Sequence, residues 1–190
     1  ERISLSRRVS SARLRAESAA ATAALLPVAL HKIFSQAESK GWEGKNLGDL
    51  FEITSSKRVF RSEWTYDGIP FYRAREIVSM AKKQPFKTPI FISEKMYETY
   101  KSKYGVPQMG DVLVTGVGTL GITYVVRPTD KFYFKDGNII WLKKVSDVDS
   151  EFIRYFFLSD VLKNQISANA GGATVKTFTI KTAKNIKIPL

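Results

Sequence analysis

The stretch VLVTGVGTLGITYVVRP, residues 112–128, constrains the fold more than any other part of the chain. Its three glycines match the G-x-G-x-x-G spacing that holds the pyrophosphate of dinucleotides in Rossmann folds. Such a site needs a helix directly after the glycines, because the helix N-terminus binds the phosphates. Here the β-branched and aromatic residues 122–126 follow, and Pro128 ends the run. The pattern therefore predicts two strands joined by a glycine loop.

Three interpretations of that loop remain open. It is a plain connection between strands, or an exposed loop whose bare backbone approaches a polyanion, or the nucleotide site of an enzyme that uses GVGTLG. The last is the weakest match to the sequence, because a lone glycine motif without its helix has little specificity.

The N-terminal segment carries an apolar seam with alternating steps of four and three residues, which is typical of coiled-coil heptads. The seam runs through Leu5, Val9, Ala12, Ala16, Ala19, Ala23, Leu26, Leu30 and Ile33. No charged residue between 5 and 33 falls on it. We expect residues 1–40 to form a long spacer helix that pairs with another helix through Leu5, Val9, Leu26, Leu30 and Ile33. A helix that lies along its own domain is the alternative.

Residues 41–190 show short strands and helices without the regular alternation of a parallel sheet. The fold class is therefore α+β: a long N-terminal helix of coiled-coil type, then a mixed α+β domain. The predicted strands are 47–54, 69–72, 90–92, 111–116 and 121–126, with a hairpin over 131–143 that turns at Asp136-Gly137. The predicted helices are a turn at 76–81, a helix at 94–104 capped by Ser93, and a helix from Asp149 or Ser150 to about residue 168.

The charge of the chain predicts an anionic partner. It has 30 Lys and Arg against 18 Asp and Glu, a formal charge of +12, which favours nucleic acid first and a membrane surface second. No apolar run approaches the roughly 20 residues that span a bilayer. The chain has no cysteine and one histidine, and no nucleophile–base set is present. We expect no catalysis, no cofactor, no metal and no membrane association.

Basic residues are dense between 57 and 87, where they alternate with aromatic residues and have no evident carboxylate partners at helical spacing. Two loops, 115–119 and 170–176, mix glycine with threonine, and free N–H groups with hydroxyls suit phosphate oxygens. Solvated surface and plain turns are the alternatives. The predicted DNA-binding residues are Lys57, Arg58, Arg61, Arg73, Arg75, Thr115, Gly118, Thr119, Gly172, Thr174 and Lys176.

Five segments in order carry a family resemblance: LGDLFEIT, GIPFYRAREI, GDVLVTGVGTLG, DSEFIRYFFLSD and GGATVKTFTIKTAKNIKIPL. They cover residues 47–190, and the preceding LLPVALHKIF is similar to the end of a spacer helix. The chain resembles a specificity subunit of a type I restriction–modification system. The resemblance implies a target recognition domain over residues 41–190 that reads one half of a split site in double-stranded DNA.

The resemblance also implies partners. Methylation and restriction subunits would carry out catalysis, in the cytoplasm of a prokaryote, while the specificity subunit itself is not an enzyme. Members of the family have two recognition domains and two conserved helices packed as an antiparallel coiled coil. This chain has one of each and begins at Glu1 without methionine, so we expect either a fragment or a half-length relative that forms a homodimer through its N-terminal helix. A structural or partner-binding protein that acts through the helix is the remaining alternative.

Overall fold

The computed structural model describes Leu14, Ser18 and residues 25–88, 90–169 and 177–190. Helix α1 covers residues 25–35. The further helices are α2 (Leu47–Leu50), α3 (Ala74–Ala81), α4 (Glu94–Lys103), α5 (Ser150–Leu158), α6 (Asp160–Asn169) and α7 (Ile180–Lys184). The strands are β1 (Gly44–Asn46), β2 (Phe51–Thr54), β3 (Ile69–Tyr72), β4 (Phe91–Ile92), β5 (Val112–Thr115), β6 (Thr123–Val125), β7 (Tyr133–Phe134), β8 (Ile139–Lys144) and β9 (Lys187–Pro189).

The described strands form three sheets. The largest is antiparallel, with four strands in the order β2-β8-β5-β6. A second sheet has the order β4-β3-β7, in which β3 runs antiparallel to β4 and parallel to β7. The third pairs β1 with β9, so the two ends of the recognition segment lie together. This mixed arrangement confirms the α+β class.

Both faces of the four-stranded sheet are buried at its central strand β5. Val112 and Val114 of β5 face a core that α5, α6 and α7 cover, whereas Leu113 faces a different core beneath α3. Burial on both faces explains why residues 112–115 read as a continuous apolar run rather than an alternating one. A third core lies beneath the smaller sheet β4-β3-β7 and α4.

Local signals in the sequence predict two features correctly. Strands β5 and β6 are antiparallel neighbours joined by the glycine loop, in the register Val112↔Val125. Helix α4 begins where Ser93 was predicted to cap it, since the Ser93 hydroxyl accepts a hydrogen bond from the Met96 amide at 3.2 Å.

The predicted hairpin over 131–143 is wrong. Gly137 does occupy a turn, with φ of 82°, but the two strands beside it do not pair with each other. Strand β7 pairs with β3, and β8 lies between β2 and β5. The Asp-Gly pair predicts a turn from local sequence, but it does not determine which strands pair. Pairing depends on how distant strands pack, and here the turn connects a strand of one sheet to a strand of the other.

Two further predictions need correction. Residues 47–50 form the short helix α2, so only Phe51–Thr54 of the predicted strand 47–54 is a strand. The predicted helix 150–168 is broken at Ser159, whose backbone is extended with ψ of 154°. The buried Ser159 hydroxyl donates to the Phe156 carbonyl at 2.7 Å, which satisfies a carbonyl at the end of α5.

Helix α1 packs on the domain at its C-terminal end. Phe34 makes edge-to-face contacts with Phe152 and Phe156 of α5, at centroid distances of 5.6 and 5.1 Å. The opposite side of α1 exposes Leu25 and Val28. The alternative of a helix that lies on its own domain therefore holds for these last turns. Of the rest of the predicted coiled-coil helix, the structure describes only Leu14 and Ser18.

Candidate nucleic-acid interface

Three loops meet at one edge of the four-stranded sheet. Strand register brings Thr54 at the end of β2, Thr115 at the end of β5 and Ile139 at the start of β8 to this edge. The loops that leave there are residues 55–68, 116–122 and 135–138, and we call them together the loop edge. Antiparallel pairing thus places the basic loop and the glycine loop, far apart in sequence, on either side of the turn 135–138.

The turn 135–138 is the point that connects these loops. The Ser55 hydroxyl donates to the Ile139 carbonyl at 3.1 Å, and the Gly116 amide donates to the Asn138 carbonyl at 2.9 Å. Arg58 Nε lies 2.9 Å from Asp136 Oδ2. The Lys135 amide donates at 2.8 Å to Tyr72 O, at the end of β3, so Arg73 and the start of α3 follow beside the same turn.

The 55–68 loop is anchored on its inner side and charged on its outer side. Val59 is buried, and the Lys57 amide donates to the Tyr133 hydroxyl at 2.8 Å. Burial raises the pKa of Tyr133 to about 12, although the hydrogen bond from Lys57 lowers it, so the hydroxyl stays neutral. The side chains of Lys57, Arg58 and Arg61 are exposed. The loop therefore offers cations on a fixed backbone.

The glycine loop is held by Thr115, which corrects one predicted contact. Thr115 is only 1% exposed. Its hydroxyl donates to the Thr119 carbonyl and accepts from the Ile122 amide, the latter at 3.0 Å. The Thr115 hydroxyl thus acts as donor and as acceptor within the loop, so it stabilises the loop and does not face a ligand. Gly118 and Thr119 are exposed at its tip, and contact with DNA through them stays a prediction.

The glycine loop also excludes the nucleotide-site geometry of a Rossmann fold. Strand β6 follows the glycines and returns antiparallel to β5, and no helix begins there. The N-terminal N–H groups that would bind a pyrophosphate are therefore missing from this loop. Of the second predicted loop, Gly172, Thr174 and Lys176 lie outside the described residues. The described chain resumes at Thr177, and the Phe178 amide donates to the Gly116 carbonyl at 3.0 Å.

Arg73 and Arg75 both contact Glu76, so the expectation of unpartnered arginines is wrong for this pair. Glu76 accepts from the Arg73 amide at 2.9 Å, from Arg73 Nη2 at 2.9 Å and from Arg75 Nε at 2.5 Å. Burial alone would raise the pKa of Glu76, but the hydrogen bonds from Arg73 and Arg75 outweigh it and hold the pKa below its usual value. Glu76 is therefore a buried anion.

The helix-pairing residues divide between two environments. Leu30 is 6% exposed and belongs to the core of its own domain, so it is corrected from a pairing residue to a core residue. Leu26 and Ile33 are exposed enough to meet another helix. Leu5 and Val9 lie outside the described residues. No helix in the part of the chain that the structure describes is long and apolar enough to cross a bilayer.

Sequence reasoning missed Asp136 as part of the interface. The sequence indicates Asp136 only as a turn residue, because its partner Arg58 lies 78 positions away. It also missed two aromatic side chains, Phe60 and Tyr66, which the 55–68 loop exposes to solvent. Other aromatic residues of the same segment point inward: Phe71 is buried, and its ring packs 6.3 Å from that of Trp64.

Comparison with known proteins agrees with this architecture. The family model for the type I restriction modification DNA specificity domain matches residues 39–190. A putative type I restriction enzyme specificity subunit of Haemophilus influenzae is 30% identical over 145 residues, which cover 76% of this chain and 34% of that protein. The chain thus spans about a third of the length of this curated relative.

Two solved structures share the fold. The HsdS subunit from Thermoanaerobacter tengcongensis superposes with a TM-score of 0.61 at 21% identity, covering 97% of this chain and 42% of that one. A chain from a structural study of complex assembly in the type I R-M system gives a TM-score of 0.62 at 20% identity, covering 98% and 44%. With a family model that matches most of its length, the chain belongs to the family of type I restriction modification DNA specificity domains.

Proposed function

We propose that this chain recognises one half of a split site in double-stranded DNA and that the loop edge faces the duplex. The observation that carries the proposal is that the basic 55–68 loop and the glycine loop both form hydrogen bonds or ion pairs to residues 136–139, at the turn between β7 and β8. Exposed cations attract phosphates, and a glycine tip allows close approach of the backbone. The net charge of +12 supports the same partner.

The chain acts in this proposal as a non-catalytic subunit. Methylation and restriction subunits would carry the chemistry, and the domain would bring them to the DNA in the cytoplasm of a prokaryote. Membership of the specificity-domain family supports this division of labour. Among the described residues, no group of His, Asp and Glu is placed to hold a metal ion.

Assembly is the second part of the proposal. Helix α1 buries Phe34 in the domain but exposes Leu25, Val28 and much of Ile33 on other sides. We propose that a second helix covers this apolar surface, and that in a dimer of this chain the second helix is the α1 of another copy. A two-fold dimer would present two recognition domains to a symmetric split site, because the symmetry of the protein is imposed on the DNA.

A salt titration with two matched variants tests the DNA face. Lys57 lies on the loop edge, and Lys144 lies at the opposite end of β8, where it pairs in register with Phe51. Both variants, Lys57→Ala and Lys144→Ala, remove one positive charge. We expect Lys57→Ala to lower the slope of log K against log salt by about one unit for duplex DNA, and Lys144→Ala to leave it unchanged. Equal effects of the two variants, or binding independent of salt, would contradict the proposal.

A further inference from the structure

Two exposed arginines, Arg58 in the 55–68 loop and Arg75 in the first turn of α3, contact a carboxylate through Nε alone. Arg58 Nε lies 2.9 Å from Asp136 Oδ2, and Arg75 Nε lies 2.5 Å from Glu76 Oε1. The two arginine side chains are 65% and 66% exposed, whereas the carboxylate side chains are 14% and 3% exposed. Each pair thus joins a fixed carboxylate to a guanidinium that reaches into solvent.

Contact at Nε orients a guanidinium without using its outer nitrogens. The group is planar, and its Nη1 and Nη2 form a fork that matches two acceptors at once. In the described part of the chain, Nη1 and Nη2 of Arg58 and of Arg75 have no hydrogen-bond partner. Both forks are therefore oriented and available.

Arg73 and Arg61 do not combine a fixed orientation with free outer nitrogens. Arg73 gives both Nε and Nη2 to Glu76 and is 28% exposed, so it has little left for a ligand. Arg61 has no carboxylate partner among the described residues, and its guanidinium lies 6.0 Å from the centre of the Trp64 ring. Arg61 is suited to phosphate, which needs a positive charge more than a fixed orientation.

A carboxylate at a DNA-facing surface helps one kind of contact and weakens another. Asp136 reduces the positive potential at Arg58, which is unfavourable if Arg58 serves only as a charge for the phosphate backbone. Orientation matters for reading a base, because the fork must meet two acceptors on one base edge. Guanine presents N7 and O6 side by side in the major groove, and this pair is the usual target of an arginine fork.

We propose that Arg58 and Arg75 each read a guanine through N7 and O6, with Asp136 and Glu76 as positioning residues. The proposal rests on the proposed DNA-binding function and adds which side chains select bases and which base they select. In this proposal Arg58 and Arg75 read bases, whereas other basic residues, including Lys57 and Arg61, bind phosphates.

The experiment begins with selection of bound duplexes from a random pool by the 190-residue chain, which yields the preferred half-site. Each guanine of that half-site is then replaced singly by 7-deazaguanine, which lacks the N7 acceptor but keeps base pairing. We expect the replacement at the guanine read by Arg58 to weaken binding of the unaltered chain by roughly 5- to 150-fold, as for the loss of a bidentate arginine contact. The same replacement should have little effect on Arg58→Lys, which keeps the charge but lacks the fork.

Two further variants separate positioning from charge. Asp136→Asn keeps the shape of the side chain but removes its charge. It should weaken the preference for guanine at the position that Arg58→Lys affects, while the slope of log K against log salt changes little. Arg154→Lys is the matched control, because Arg154 Nε also contacts a carboxylate, that of Glu151, but it lies beside Arg127 beyond the other end of β6. It should leave every base preference unchanged. Glu76→Gln and Arg75→Lys repeat the test at the second guanine.

The outcomes distinguish the two proposals. If no sequence is enriched and binding is uniform, the proposed function of sequence recognition fails. If a half-site is enriched but Arg58→Lys and Arg75→Lys keep its full base preference, or if the half-site contains no guanine, the inference fails while the function stands. A uniform loss of affinity across all sequences in Arg58→Lys would assign Arg58 to phosphate and overturn its role as a reader.

Discussion

Replacing Glu76 by glutamine tests the buried anion that holds two arginines. In the folded chain the carboxylate accepts hydrogen bonds from the Arg73 amide, from Arg73 Nε and Nη2, and from Arg75 Nε. A hydrogen bond to a charged group contributes about 1.5–3 kcal/mol, but Arg75 is largely exposed and its share is screened by water. We count the Arg73 contacts as one bidentate interaction and expect Glu76→Gln to lower the free energy of unfolding by about 2 kcal/mol at pH 7.

The pH dependence of that difference is the sharper measurement. The folded pKa of Glu76 is lower than its usual value of 4.5, so the charged carboxylate stabilises the fold above the usual pKa, and this stability is lost as the pH falls through the folded pKa. The gap between the unaltered chain and Glu76→Gln should therefore be constant above pH 4.5 and close at lower pH. Urea unfolding followed by circular dichroism measures it.

Glu151→Gln is the control for this prediction. Glu151 pairs with Arg154 one helical turn away, and its side chain is about half exposed. Exposed pairs of this kind contribute at most about 0.5 kcal/mol, so this variant should hardly change stability at any pH. A gap for Glu76→Gln that stays the same from neutral to acid pH would refute the reasoning, since the lost energy would then not depend on the charge of Glu76.

Two other predictions concern α1 and the glycine loop. Leu26→Glu should abolish association of the chain in sedimentation experiments without unfolding the domain. Phe34→Ala should instead lower the free energy of unfolding by about 3–5 kcal/mol, because it removes a buried aromatic side chain. If the unaltered chain is monomeric at high micromolar concentration with α1 intact, self-pairing is wrong. Gly116→Ala should destabilise the fold by about 1–3 kcal/mol, because the new Cβ would lie 2.6 Å from the Phe178 carbonyl oxygen. Gly118→Ala meets no atom within 4 Å and has only the strain of its φ of 78°, so thermal melts should show a smaller loss for it.

Features with short-range causes were predictable from the sequence. The strand, glycine loop and strand of residues 112–126 follow from β-branched runs around a turn, and Ser93 caps α4 through its own side chain. The resemblance to specificity subunits, which rests on ordered segments over residues 47–190, is confirmed by the family match. These signals need no knowledge of how distant segments pack.

Features with long-range causes were not predictable from the sequence. The turn at Asp136-Gly137 joins two sheets instead of two paired strands, because the partners β3, β2 and β5 lie far away in sequence. The contact between Arg58 and Asp136 spans 78 positions, so no local pattern reveals it. The pairing of Arg73 with Glu76 is different, because a spacing of three residues is a local pattern that the sequence does contain. Gly172, Thr174 and Lys176 stay predictions.

The passage of the chain from β7 to β8 through only four residues has a mechanical consequence. Phe134 lies in the smaller sheet and Ile139 in the larger one, yet both belong to one core, in which the Phe134 ring packs 5.7 Å from that of Trp141 in β8. The turn 135–138 and this shared core together connect the two sheets. A duplex held at Arg58 and at the start of α3 would contact segments attached to both sheets and would restrict small motions of one sheet relative to the other. The entropy lost in that restriction depends on how far the two sheets move before binding. Substitutions in the shared core, at Phe134 or Trp141, would then change DNA affinity without contacting the DNA, because they change how freely one sheet moves against the other.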